Sequence, residues 1–187
     1  MKILKKLFLL FLLSSCANIV APTGGDKDIS SPLLVSINHE GKKKQPHQQI
    51  VSFEFNEFIM TNNWEENFYI SPPVKKKIQQ NIKAKKLILT IPDTIILNTT
   101  YNIALNSCIK DLNEGNILDT LNYMFSTSNH LDTLSLSGKL QHAYTLEEIP
   151  NAWIMLFDET RSDTVIFKEA PNYIAKTDKN GYFNFPN

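Results

Sequence analysis

"IVSFEF", residues 50–55, alternates apolar and polar side chains along its whole length. Val51, Phe53 and Phe55 fall on one side; Ser52, Glu54 and then Asn56 fall on the other. A period of two is that of a β-strand with one buried and one wet face. The same reading extends outward from this stretch. Upstream lies "LLVSI" (33–37). Downstream, "NFYIS" (67–71) is stopped by Pro72 and Pro73, which cannot donate to a strand ladder. "KKIQQNI" (76–82) reads as a short edge strand whose lysines discourage further pairing. "KLILTI" (86–91) aligns Leu87, Leu89 and Ile91 on one face, and "TTYNIAL" (99–105) aligns Tyr101, Ile103 and Leu105. "LNYMFST" (121–127) does the same with Leu121, Tyr123 and Phe125.

These seven strands lie between Ser31 and Thr127, and no amphipathic helix there is long enough to cover a sheet. Short alternating strands at this density predict an all-β fold of the immunoglobulin-like sandwich type, two sheets packed by their apolar faces. Phe53, Phe55, Leu89, Ile103 and Phe125 are the expected core. The chain has two cysteines, Cys16 and Cys108. If Cys16 is acylated, Cys108 has no intrachain partner, and packing alone must hold the sandwich. Cys108 shares no local motif with His39, His47, His130 or His142, and reads as a small buried hydrophobe.

Ser31-Pro32 followed by "LLVSINHEG" and "IVSFEFNEFI" resembles the opening of the bacterial Ig-like domain, with Phe55, Asn56 and Glu57 at the end of the second strand. "ILNTTYNIAL" resembles its middle, with Asn98 where proline is common. Ile109, Asp111, Gly115, Asn116, Leu118, Phe125 and Thr127 match its end. The resemblance implies such a domain over residues 31–128; it says little about activity, and the expected role is a non-catalytic spacer or interaction surface.

After residue 128 the strand pattern restarts. "LSLSGKLQHA" (134–143), "NAWIMLFDE" (151–159) and "YIAKTDKNGYFNFPN" (173–187) resemble a transthyretin-like or carboxypeptidase-regulatory-like β-sandwich. The matching residues include Ser137, Gly138, Pro150, Ala152, Thr177, Asp178, Gly181, Phe183 and Phe185. Asn180-Gly181 is a turn pair that accepts left-handed backbone. Such sandwiches have further strands beyond the Gly-x-Phe element, so the expectation for residues 134–187 is an incomplete second β-sandwich.

The N-terminus is of another kind. Lys2, Lys5 and Lys6 precede seven unbroken apolar residues, Leu7 to Leu13. A bilayer span needs roughly 20 such residues. A basic start with a short apolar run is the pattern of an export signal. Leu13-Ser14-Ser15-Cys16 resembles the lipobox of bacterial lipoproteins, and the whole N-terminal portion resembles envelope lipoproteins common in the Bacteroidetes. That resemblance implies a signal peptide at 1–15, a diacylglycerol and usually a palmitate-type acyl chain on Cys16, and placement in the cell envelope at the outer membrane. Residues 16–30 read as a flexible tether punctuated by Pro22, Gly24 and Gly25. An ordinary secretory signal that merely contains Cys16 and a buried N-terminal element stay open beside it.

The 19 basic and 19 acidic residues of the chain balance, and loss of the signal leaves 16 against 19. No basic field is present for nucleic acid, which is excluded as a partner. The lysine runs 42–44 and 75–77 read as solvated loop charge. The expected partners are membrane lipid, through acylated Cys16, and an envelope protein or glycan; no cofactor and no metal are expected. Two other functions stay open. A glycan-binding or glycan-processing lipoprotein would use Trp64, Tyr69 and Trp153 as a stacking platform, and paired acids from Glu54, Glu57, Glu65 and Glu66 for hydrolysis. A calcium-dependent adhesin module would use the oxygens of Asp111, Asn113, Glu114, Asn116 and Asp119. The EF-hand pattern fails there, because Gly115 stands where its fifth-position ligand belongs, and a polar turn with Gly115 or Asn116 at positive φ is the competing expectation.

Overall fold

The computed structural model describes residues 24–40, 49–92, 95–159 and 162–186. Cys16 and the first lysine run, 42–44, lie outside the described residues. So do His47, the signal segment and most of the tether.

The alternating segments form strands β1 (Leu34–Glu40), β2 (Gln49–Phe55), β4 (Phe68–Ser71), β5 (Gln79–Lys83), β6 (Lys86–Ile91), β7 (Thr100–Leu105) and β9 (Asn122–Ser126). Two short strands not expected from the sequence join them, β3 (Ile59–Thr61) and β8 (Ile109–Asp111), which pair antiparallel with each other. A one-turn helix, α1 (Trp64–Asn67), follows Asn63, whose φ is +43°. A three-residue strand carries too few alternations to stand out from its loop, so β3 and β8 leave no periodic signal.

One sheet has the order β1-β2-β6-β5 and a second the order β4-β7-β9, all antiparallel. As expected, β5 is an edge. The inner faces meet in one core built from Val51, Phe53 and Phe55 of β2, Leu87, Leu89 and Ile91 of β6, Tyr101, Ile103 and Leu105 of β7, and Phe125 of β9. Register places Val51 opposite Leu89 and Phe53 opposite Leu87, so apolar side chains stand side by side across the strands. All five core residues expected from the sequence are buried. Tyr101 stacks on Phe125 with centroids 5.4 Å apart. This is the all-β, immunoglobulin-like arrangement.

In β7 the alternation breaks down: every residue from Thr100 to Leu105 is buried. Tyr101, Ile103 and Leu105 face the core, so Thr100, Asn102 and Ala104 lie on the outer face of the β4-β7-β9 sheet. That face is covered by the residues that follow.

There, β10 (Leu136–Lys139) pairs with β13 (Tyr182–Phe185), and β11 (Trp153–Leu156) pairs with β12 (Tyr173–Lys176). Both ladders are antiparallel. A 3₁₀ turn at Asp163–Phe167 lies between β11 and β12. The turn from β12 to β13 closes through Asp178, whose Oδ1 accepts from the N–H groups of Asn180 and Tyr182. Gly181 is required twice over. Its φ is +76°, and a Cβ there would stand 2.5 Å from the Leu140 carbonyl oxygen. Opposite in register, Gly138 lies beneath the Phe183 ring, 2.6 Å from where its Cβ would be. Within this unit Thr177 Oγ1 donates to Ile149 O and accepts from Ala152 N–H, both at 2.8 Å.

Candidate functional site

The acidic turn 109–120 is a turn. Asp111 ends β8, and its carboxylate accepts backbone N–H groups of Glu114 (2.6 Å), Gly115 (2.8 Å) and Asn116 (2.7 Å). Gly115 takes φ +82°, as the turn reading required. Burial works to raise the Asp111 pKa, but these backbone donors outweigh it and hold the pKa below 3.8. Oxygens already engaged by three donors are poorly disposed to hold a cation. Among the described residues no three His, Cys, Asp or Glu side chains are grouped to hold a metal ion.

Two of the acids offered as a catalytic pair are held in surface ion pairs. Glu54 pairs with Lys86 at 3.3 Å on the wet face of β2, and Glu65 pairs with Lys77 at 2.8 Å. Lys75, Lys76 and Lys77 are exposed in a loop, as expected. Glu57 has a raised pKa, from burial first and then from the charges of Asp111, Asp28 and Glu114, with Lys85 opposing. Cys108 is fully buried, and burial pushes its thiol up to about 12. It is therefore a protonated packing residue and no nucleophile.

The three aromatics do not make a platform. Trp64 is buried and stacks on Phe68 at 4.3 Å. Tyr69 and Trp153 meet edge to face at 5.3 Å, where the Ig-like sandwich touches the β11-β12 ladder. Packing takes these rings because each has an apolar partner within reach, and burying ring against ring removes more apolar surface from water than presenting them singly.

That contact is a polar and aromatic joint. Ser71 Oγ accepts from the Ile174 N–H at 3.0 Å, and Lys176 Nζ donates to the Glu66 carbonyl at 2.7 Å while lying over the Trp153 ring at 5.3 Å. Burial raises the Tyr69 pKa, against hydrogen bonds from the Lys176 backbone N–H and the Asn106 side chain.

Beside the joint a cleft of about 1130 Å³ opens between the outer face of the β4-β7-β9 sheet and the β12–β13 turn. Eight asparagines line it: four, Asn62, Asn63, Asn67 and Asn151, have local duties, and the others are Asn102, Asn106, Asn122 and Asn184. Asn62 and Asn67 donate to the Ser107 carbonyl, and Asn63 and Asn151 take left-handed backbone. Asn102 is 3% exposed, its Nδ2 lies 3.5 Å from Asn122 Oδ1, and its own buried Oδ1 has no partner among the described residues. Asn106 Oδ1 is likewise buried and unpartnered. The sequence reading missed this site. Asparagine has no distinctive spacing as a site residue, and the only available hint was a polar residue inside "TTYNIAL".

A family model for the bacterial Ig-like domain matches residues 28–127. No match was found among curated proteins. The matched span holds β1 through β9, both sheets of the sandwich and its whole core. With more than half of its length matched and the two-sheet β architecture in place, the chain belongs to the bacterial Ig-like domain family.

Proposed function

We propose that this protein is a lipid-anchored component of the bacterial envelope, in which the Ig-like domain serves as a non-catalytic spacer and interaction surface. The observation that carries this reading is the use of the second sheet's outer face. Ser71 of β4 and the Tyr69 ring, together with the Glu66 carbonyl of α1, seat β12 and Trp153. A sandwich that closes its core on one side of a sheet and receives a neighbouring β-unit on the other is suited to stacking modules in series. Residues 134–187 then act as a second module of transthyretin-like or carboxypeptidase-regulatory-like type. Gly138 beneath Phe183 and the Asn180-Gly181 turn support that reading.

The anchor is supported by Leu13-Ser14-Ser15-Cys16 after a short apolar run. Two or three acyl chains on Cys16 give stable attachment, at about 0.8 kcal/mol per buried CH₂. Intact-mass spectrometry of the protein purified from its native membrane tests this. The expected species begins at Cys16 and carries a diacylglycerol-sized addition. A mature N-terminus elsewhere, or an unmodified Cys16 thiol, ends the anchor reading and the outer-membrane placement with it.

A further inference from the structure

We propose that the asparagine-lined cleft binds a neutral, hydroxyl-rich ligand, an oligosaccharide, against the outer face of the β4-β7-β9 sheet. This rests on the interaction-surface part of the function proposed above and is independent of the lipid anchor.

The floor comes from β7. Strand alternation turns Tyr101 and Ile103 into the core and so turns Asn102 outward, into the cleft. Its Oδ1 is an acceptor removed from bulk water with no donor to replace it, and so is Asn106 Oδ1. A buried acceptor left in that state is unfavourable, and a donor brought by a ligand would relieve it. Native interiors pair nearly all such atoms. Both residues line one cleft, where a water or a ligand hydroxyl would pair these oxygens once the amides turn toward it.

The chemistry of that partner follows from the lining. A side-chain amide presents an acceptor and a double donor side by side. It can accept from one sugar hydroxyl while donating to the next, which matches a vicinal diol. The lining carries charges of both signs, Glu66, Asp119 and Asp178 against Lys176 and Lys179, with Lys176 held by the Glu66 carbonyl and Asp178 by the backbone of its own turn. Charges so mixed favour a neutral ligand over a strongly charged one. At the floor of the cleft a peptide cannot add to β7 as a further strand, because β7 is bonded on both sides, to β4 and to β9. Tyr182, half exposed in the lining, has Lys139 Nζ over one ring face at 5.1 Å, and its other face is the one a sugar would use. The volume is ample for several sugar rings, since small-ligand sites are typically about 300–1000 Å³.

The test is a titration of the full chain with maltohexaose, cellohexaose, chitohexaose and mannohexaose, followed by saturation-transfer NMR. Binding of at least one is expected. Asn122→Ala, an exposed change at the cleft wall that also removes the 3.5 Å partner of Asn102 Nδ2, should weaken it by roughly tenfold, with the cooperative melt retained. Asn102→Ala should weaken it further, and the Asn122 variant keeps the test decisive should this buried change disturb folding. No signal with any of the four sugars overturns the proposal, as does binding that Asn122→Ala leaves intact. A parallel titration with extended decapeptides supplies the counter-case: peptide binding lost in Asn122→Ala, without sugar binding, gives the cleft to a peptide. The mass of the N-terminus does not enter this readout, so anchor and ligand readings can fail separately.

Discussion

His39 shows how far a single side chain is defined by its neighbours. It sits in β1, half-buried, with Nε2 3.0 Å from Gln49 Oε1 and Nδ1 3.2 Å from the Tyr123 hydroxyl. Its ring meets Phe125 edge-on at 4.8 Å. An amide oxygen can only accept, so Nε2 carries the proton and Nδ1 is free to accept from Tyr123. Burial lowers its pKa below 6.5, against the raising effect of Gln49. The unfolded chain therefore takes up this proton at higher pH than the folded one. Stability from His39 is full above about pH 6.5 and falls as the pH drops from there toward the folded-state value. Thermal melts should show a decline over that window, and His39→Phe should flatten it. A melting temperature of the wild-type protein that rises on acidification through this range would contradict the assignment.

Strand β9 is the test of element-level assignment. Its alternation is the expected one: Asn122 and Met124 are exposed, while Leu121, Tyr123 and Phe125 turn toward the core. Phe125 is what fastens β9 to the core, stacked on Tyr101 and edge-on to His39. Phe125→Ala removes a buried ring from a packed site, and the expected loss is about 3–5 kcal/mol in chemical denaturation. A loss under about 1 kcal/mol would mean that β9 is not held by this face. At the same scale β7 shows a central strand with both sides covered. Its inward residues follow the period of two, while its outward residues are buried by a partner that local sequence does not name.

At the scale of the whole molecule, the two β-units meet through few contacts. The Ig-like sandwich has its own core, and the residues after 134 contribute none of it. The joint includes the Ser71–Ile174, Lys176–Glu66 and Lys176–Asn67 hydrogen bonds, the bond from the Lys176 backbone N–H to Tyr69, and the contacts of Trp153 with Tyr69 and Lys176. Local opening of such a joint should be cheaper than unfolding the sandwich. Combining Ser71→Ala with Lys176→Met should speed amide hydrogen exchange at Ile174 and along β12. The amides of β2 and β6 should keep their protection. Equal acceleration in β2 and β6 would show one cooperative unit in place of two joined ones.

The amino-acid sequence by itself determined the all-β class, the seven longer strands and the inward face of each sheet. It did so because strand alternation is local: Val51, Phe53 and Phe55 announce a buried face without reference to anything distant. The same locality placed the Gly115 and Asn180-Gly181 turns, where φ decides the residue. Only the tertiary structure decided what lies on the far side of the β4-β7-β9 sheet. Asn102 is paired in register with Ser71 and Met124, on strands distant in sequence, and is buried beside chain that comes some 50 to 80 residues later. Trp64, Tyr69 and Trp153 read alike in sequence, yet one enters the core and two form the joint. Burial and hydrogen-bond satisfaction depend on which surfaces meet. Those meetings are long-range, so a cleft lined by asparagines emerges only once the chain has folded over its own sheet.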